Sequence, residues 1–202
     1  MKQYDATGQV QVIRIPNYGN ATVTVTGTLT APTWQESTGV GGVVALIAKK
    51  LVLNADIDVI GKGFKGNTMN TNGTPDNCSV SPTSAYTLAS TASQSYTKGE
   101  GIVADNTSYN RGRAPRANGG GSGISGDSGG GVGSSYGAGG QGGYRWCDEL
   151  GSQDGGPDIP AGGLGGVSLS SYFTQDKLFL GGAGGSGYVT TSNPSDATDG
   201  GG

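Results

Sequence analysis

The sequence predicts an all-β protein joined to polyglycine helices of the polyproline-II kind, with essentially no α-helix. Three observations predict it. Short runs of β-branched alternation fill the N-terminal part. Of 42 glycines in 202 residues, 13 fall in 1–116 and 29 in 117–202. Those in the second part recur at every third position. The expected architecture is an N-terminal β-sandwich or short β-solenoid followed by a packed glycine-rich helix bundle. Its divisions are a β-strand region at 1–65, polar insertion loops at 66–116 and the glycine bundle at 117–202, packed with the first part as one unit.

Val10–Ile15 alternates apolar and polar residues apart from Ile13, and Ala21–Thr26 alternates strictly, with threonine on the second face. Both have the period and the stiff β-branched side chains of strands. Pro16-Asn17-Tyr18-Gly19-Asn20 supplies a turn between them. Gly42–Ala48 is continuously apolar, as a strand buried on both faces would be. Leu51–Leu53 and Ile57–Ile60 complete the set, with a corner at Asn54-Ala55-Asp56. Short strands with frequent corners suit a sandwich or a solenoid. Residues 66–98 are rich in Asn, Thr and Ser and carry the turn signals Asn72-Gly73, Thr74-Pro75-Asp76 and Ser81-Pro82. They read as a disordered stretch or as a surface loop that carries function.

In the second part Gly120, Gly123, Gly126 and Gly129 are three apart, as are Gly137, Gly140 and Gly143. The spacing returns in Gly162 with Gly165, Gly163 with Gly166, Gly181 with Gly184 and Gly187, and Gly182 with Gly185. A polyproline-II helix has about three residues per turn and no internal hydrogen bonds, so such glycines make a bare edge that lets backbones approach and bond. A flexible linker has no use for Ile124, Val132, Tyr136, Tyr144, Leu164, Val167 and Tyr188, which punctuate the tracts. Collagen needs an unbroken register and abundant proline, which 117–150 lacks. On this reading Gly123 and Gly184 do not tolerate a side chain, whereas Ser122, if it faces solvent, does.

The order of Gly42–Ala48, Leu51 to Asn54, Gly61-Lys62-Gly63-Phe64, Tyr96 to Gly101, the long glycine tracts and Lys177–Gly185 resembles a glycine-rich module of large bacterial cell-surface proteins. The glycine half is also similar, more loosely, to the polyglycine-sandwich tip adhesins on tail fibres of T-even-like phages. The first resemblance implies a further apolar strand after the last glycine tract, so the sequence reads as a fragment or processed product. The opening residues lack the apolar core of a signal peptide. An exported chain would have its signal outside this sequence or removed.

The net charge of −3 argues against nucleic acid as the main partner, and no apolar run is long enough for membrane insertion. Gly126-Asp127-Ser128-Gly129-Gly130 spells the nucleophile signature of trypsin-like proteases, but the chain has no histidine to take the serine proton. The same lack removes histidine metal sites, and no metal or cofactor is expected. The acids Asp148, Glu149, Asp154 and Asp158 read as solvated turn residues, although carboxylate pairs keep a glycan hydrolase as a remote alternative. Cys78 and Cys147 read as a disulfide, with two free thiols the alternative.

The binding candidates are Tyr109, Arg111, Arg113 and Arg116, then Tyr144, Arg145 and Trp146, and Tyr172 beside Phe173. Tyrosine, tryptophan and arginine are favoured at interfaces, and aromatic faces suit sugars. The bland alternative is that the aromatics cap the glycine helices, foremost Trp146 and Phe173. The arginine segment lacks core periodicity, so replacing Arg111 and Arg113 is expected to spare the fold and weaken attachment or association. The function expected is that of a non-enzymatic extracellular structural or adhesive module. Its partners are copies of itself, other subunits of a surface assembly, or a cell-surface glycan. The alternative is a phage tail-fibre receptor-binding adhesin.

Overall fold

The computed structural model describes residues 11–67, 85–90, 96–103, 108–124, 128–143, 161–172 and 179–188. Within them there is no α-helix. The regular elements are four short strands, β1 (Thr22–Val25), β2 (Leu29–Thr30), β3 (Lys50–Leu53) and β4 (Ile57–Asp58), and one 3-10 turn, Ser170–Tyr172. The chain divides into two compact units, Met1–Gly63 and Phe64–Gly202.

In the first unit the threonine–valine alternation becomes β1, and the chain then passes over the same course a second time. β1 pairs with β3 in parallel, Thr22 facing Lys50 and Val25 facing Leu53. β2 pairs with β4 in parallel, Leu29 facing Ile57 at the same offset. The corners between the strands also stack, since Asn54 N donates to Val25 O and Leu29 N to Asp56 O. The pairing begins before β1, where Asn17 and Ile47 form a parallel bridge, and runs on to Trp34 N, which donates to Lys62 O. The turn at Asn17–Asn20 closes as its residues dictate: Asn17 Oδ1 accepts from Gly19 N at 2.8 Å, and Gly19 has φ +57°.

Two strand expectations are corrected. Residues 11–15 form no strand, and Gly42–Ala48 forms none beyond the bridge at Ile47, which is 51% exposed. The reason for the second lies at its start. Gly41 has φ +105°, and a Cβ there would lie 2.4 Å from Thr33 O, so the chain turns tightly beneath Thr33 and Trp34. Apolar composition announced burial there and could not announce this turn.

The second unit is organised by bonds between tracts that belong to no helix or strand. Among the described residues the tract 118–124 is buried at every position. Its backbone bonds five other tracts. Gly120 O accepts from Gly99 N, and Gly120 N and Gly123 N donate to Ala183 O and Ser186 O. Gly121 N donates to Leu164 O, Ile124 N to Ala161 O and Ser122 N to Gly112 O. Gly121 O and Asn118 O accept from Gly131 N and Ser134 N.

The five neighbours bond one another in a closed ring. Ala183 N donates to Glu100 O, Gly185 N to Gly131 O, Gly163 N to Gly129 O, Leu164 N to Arg113 O and Lys98 N to Asn110 O. Outside the ring, 138–143 bonds two of its members through Gly139 N and Gly142 N to Gly166 O and Gly163 O, and through Val132 N to Gly140 O. The contacts advance by three residues. Gly182, Gly185 and Tyr188 donate to Ser134, Gly131 and Ser128, so those tracts run antiparallel. Gly163, Gly166 and Leu169 donate to Gly129, Val132 and Ser135, so those run parallel.

The chain enters the central tract through a tight reversal at 116–119, where Arg116 and Gly119 exchange backbone bonds and Ala117 takes φ +51°, rare for a residue with a Cβ. Asn118 then fixes the tract's start. It is fully buried, its Oδ1 accepts from Ile102 N at 2.9 Å, and its Nδ2 donates to Ser134 O and to Leu180 O at 2.8 Å.

The close approach defines a prediction. A Cβ on Gly121 would lie 1.9 Å from Arg113 O, so Gly121→Val should lower stability by at least about 3 kcal/mol. A Cβ on Gly143 meets nothing within 4 Å, so Gly143→Ala should stay within about 0.5 kcal/mol of the parent. Urea unfolding of the two variants checks both.

Candidate functional site

The candidate binding residues separate into two groups. Arg111 and Arg113 are each only 4% exposed, so they are not free surface groups. The expectation that replacing Arg111 and Arg113 spares the fold is corrected by that burial. Gly112 lets the backbone between them pass close to 85–90. Gly112 sits between them with φ +106°, and a Cβ there would lie 2.6 Å from Tyr86 O.

Arg111 lies over the ring of Tyr96, its guanidinium carbon 4.1 Å from the ring centre. Its Nη1 donates to Ala89 O at 2.9 Å, and its Nη2 donates to the Tyr96 hydroxyl. Tyr96 in turn meets Tyr188 edge-on, with ring centres 4.7 Å apart. Burial pushes the Arg111 pKa down, because the charged form loses water, while interaction with Tyr188 opposes that shift. Arg113 donates from Nε to Gly162 O at 2.9 Å and lies 5.6 Å from the ring centre of Tyr86. The two cations thus tie 85–90 to the ring around 118–124 and brace two of its own members, 96–101 and 161–169. Each presents a flat face to an aromatic ring and N–H groups to carbonyls, which suits arginine better than lysine.

The exposed group lies elsewhere. Tyr109 is 52% exposed and Tyr172 60% exposed, while Arg116 is half-buried at the chain reversal. Tyr136, counted among the packing residues in the sequence, is 65% exposed. Tyr136 and Tyr172 end two parallel tracts that the network brings together. Leu169 N donates to Ser135 O, and Ser168 Oγ to Tyr136 O at 2.6 Å. Tyr172 N donates back to Leu169 O, which sets the 3-10 turn beside that junction. Val132 and Val167, 58% and 54% exposed, lie on the same two tracts. Tyr144, Arg145, Trp146 and Phe173 lie outside the described residues, as do Cys78, Cys147 and the acids Asp148, Glu149, Asp154 and Asp158.

The serine of the protease-like signature has a structural place. Ser128 is 1% exposed, and its Oγ accepts from Ile124 N at 3.1 Å. Ser122 is equally buried, which corrects the picture of a solvent-facing position. Its Oγ accepts from Gly112 N at 3.0 Å and donates to Gly112 O at 3.3 Å. Ser186 repeats the device on Thr97 N at 2.7 Å and Thr97 O at 3.1 Å. One hydroxyl there satisfies both polar groups of a neighbouring residue. Among the described residues no three His, Cys, Asp or Glu side chains come together in a way that could hold a metal ion. No helix among them is long and apolar enough to cross a membrane.

These placements separate structural from surface residues by measurement. Arg111→Ala removes the buried stacked cation and leaves a cavity beside Tyr96, and should lower stability by about 2–4 kcal/mol. Arg111→Lys should recover only part of that loss. Tyr109→Ala should change stability by less than about 0.5 kcal/mol. Chemical denaturation followed by tyrosine fluorescence reads all three.

Compared with known proteins, the chain matches no family model, no curated protein and no solved structure.

Proposed function

We propose that the chain is a non-enzymatic structural or adhesive module of an extracellular bacterial surface assembly. In this reading a two-turn β-solenoid accompanies a bundle of polyglycine helices of the polyproline-II kind. The solenoid reading rests on the second parallel pass of the first unit, with stacked strands and stacked corners. The bundle reading rests on the three-residue step of the bonds between tracts and on the ring of five around 118–124.

That buried central tract is the observation that carries the proposal. Its backbone groups are spent on lateral bonds, and its side chains either are absent or staple neighbours together. A scaffold of this kind is stiff, because every tract is held on several sides. The groups it leaves to solvent are those on its ends and flanks. The buried Ser128, the lack of histidine and the structural use of Arg111 and Arg113 all favour a mechanical and adhesive role over catalysis.

One observation favours a second reading, a receptor-binding tip of a phage tail fibre. Tyr136 and Tyr172 are strongly exposed and end neighbouring parallel tracts. Exposed tyrosines supply wide contact faces at little entropic cost, whether the receptor is a glycan or a protein.

Hydrogen exchange tests the architecture. The amides of Gly120, Gly121, Gly123 and Gly131 should exchange at least about a thousandfold more slowly than unprotected glycine. Rapid exchange of every amide from Gly119 to Gly143 would make the region a linker and remove the proposal's basis. Binding to whole bacterial cells tests the function. Attachment lost in Tyr136→Ala/Tyr172→Ala, with stability unchanged, supports the receptor-binding reading. Incorporation into filaments or sheets seen by electron microscopy supports the assembly reading.

A further inference from the structure

We propose that the outer edge of residues 49–60 takes a second copy of this chain across a two-fold axis. The inference deepens the assembly reading above and rests on it only in that copies meet.

The first observation is an open end. In a parallel pair, facing residues point to the same side. Val25 and Leu53 are such partners, yet Val25 is 9% exposed and Leu53 is 54% exposed. Leu51 and Ile57, facing Val23 and Leu29, are 39% and 40% exposed. Along β1 and β2 Val25 is buried and Val23 and Leu29 are half-buried, whereas the apolar residues facing them on the second pass are open. β3 and β4 each have one strand neighbour among the described residues, and a strand edge without a neighbour can pair with another chain. Stacked repeats of this kind need a polar cap at the end to stay apart, and these side chains do not make one.

Charge decides what fits the edge. Lys49 and Lys50 stand at the start of the second pass, and Asp56 and Asp58 stand beyond the Asn54–Ala55 corner, all four exposed. The first pass, residues 15–34, carries no charged residue. If a second copy stacked its first pass on this edge in the same register, four charges would face three threonines and an alanine and find no partner. If the same edge of both copies meets, the two passes must run antiparallel. The lysine-bearing arm of each copy then lies along the aspartate-bearing arm of the other, twice by symmetry. Leu51 and Leu53 are brought toward Ile57 of the second copy in the same step. Lysine on an edge ordinarily blocks pairing. Here it blocks every partner except one that places acids opposite.

Sedimentation equilibrium on the full chain tests this. A monomer–dimer equilibrium with no higher species is expected. Lys49→Glu/Lys50→Glu and Asp56→Lys/Asp58→Lys should each weaken the dimer by at least about tenfold. Mixed in equal amounts, the two variants should dimerise with each other. Asp58 Oδ1 also accepts from Ile60 N at 3.0 Å. Should the double aspartate variant fold poorly, Asp56→Lys alone replaces it in the mixture. A parent chain that stays monomeric, growth without limit as concentration rises, or a mixture that remains monomeric would each overturn the proposal. Dimerisation that survives while cell attachment and filament incorporation are absent would instead remove the functional reading and keep this edge.

Discussion

The second unit depends on one constraint: two backbones must come close enough for an N–H of one to reach a carbonyl of the other without strand or helix geometry between them. Glycine allows it wherever the edge of one tract faces a neighbour's carbonyl. A Cβ on Gly130 would lie 1.8 Å from Gly185 O, and one on Gly163 would lie 1.9 Å from Gly121 O. Those distances are far inside van der Waals contact, so a methyl group there would collide with the neighbour's carbonyl. Absence of side chains is here the packing surface itself. The usual order of a globular interior, in which side chains interdigitate and the backbone is satisfied locally, is reversed.

That reversal explains why the polar side chains that do enter are so specific. Where a tract needs something other than glycine in its buried edge, the residue is a serine whose hydroxyl both accepts and donates, as at Ser122 and Ser186. It can also be an asparagine whose amide reaches three segments, as at Asn118. The arginines extend the rule to the rim. A guanidinium is thin and flat, so Arg111 can slide over Tyr96 and still offer an N–H to Ala89 O. An aliphatic side chain would fill that volume and leave the carbonyl without its donor. A small apolar cluster, Ala85, Ile124 and Ala161 with Leu88 against it, closes one end.

The sequence carried the outline of this because period and composition survive any particular packing. The lack of α-helix among the described residues, β1 within the threonine–valine alternation, β3 and β4, and the turn at Asn17–Gly19 are all legible. What was not legible was which edge of a tract meets a neighbour. In 137–143 the three-residue spacing points to Gly137, Gly140 and Gly143. A Cβ meets nothing within 4 Å at Gly137 and Gly143, and only the tip of Val132 at Gly140. The edge that packs is Gly139 and Gly142, where a Cβ would lie 2.0 and 2.2 Å from carbonyl oxygens. Two glycine registers in one tract look alike, and only the third dimension chooses between them. Arg111 and Arg113 misled for a related reason. Charge reads as solvent-facing when a core is made of hydrocarbon, but a core made of carbonyl groups is a fitting place for a donor with many N–H groups.

The same reasoning assigns the energetics. Ordering a backbone residue costs roughly 1–2 kcal/mol, and more for glycine, while a net hydrogen bond returns roughly 0.5–1.5 kcal/mol. The lateral bonds therefore do not by themselves favour the fold. The margin has to come from groups that add contact without adding new glycine order. These are the stacked Arg111–Tyr96–Tyr188 cluster, Arg113 on Gly162 O, the apolar cluster at Ile124 and the side-chain bonds of Asn118. Glycine makes the arrangement possible, and a handful of larger residues at its borders makes it stable. Destabilising changes should consequently fall into two kinds. Added bulk on a packed glycine edge breaks the geometry, and trimming at the borders removes the margin while leaving the geometry attainable.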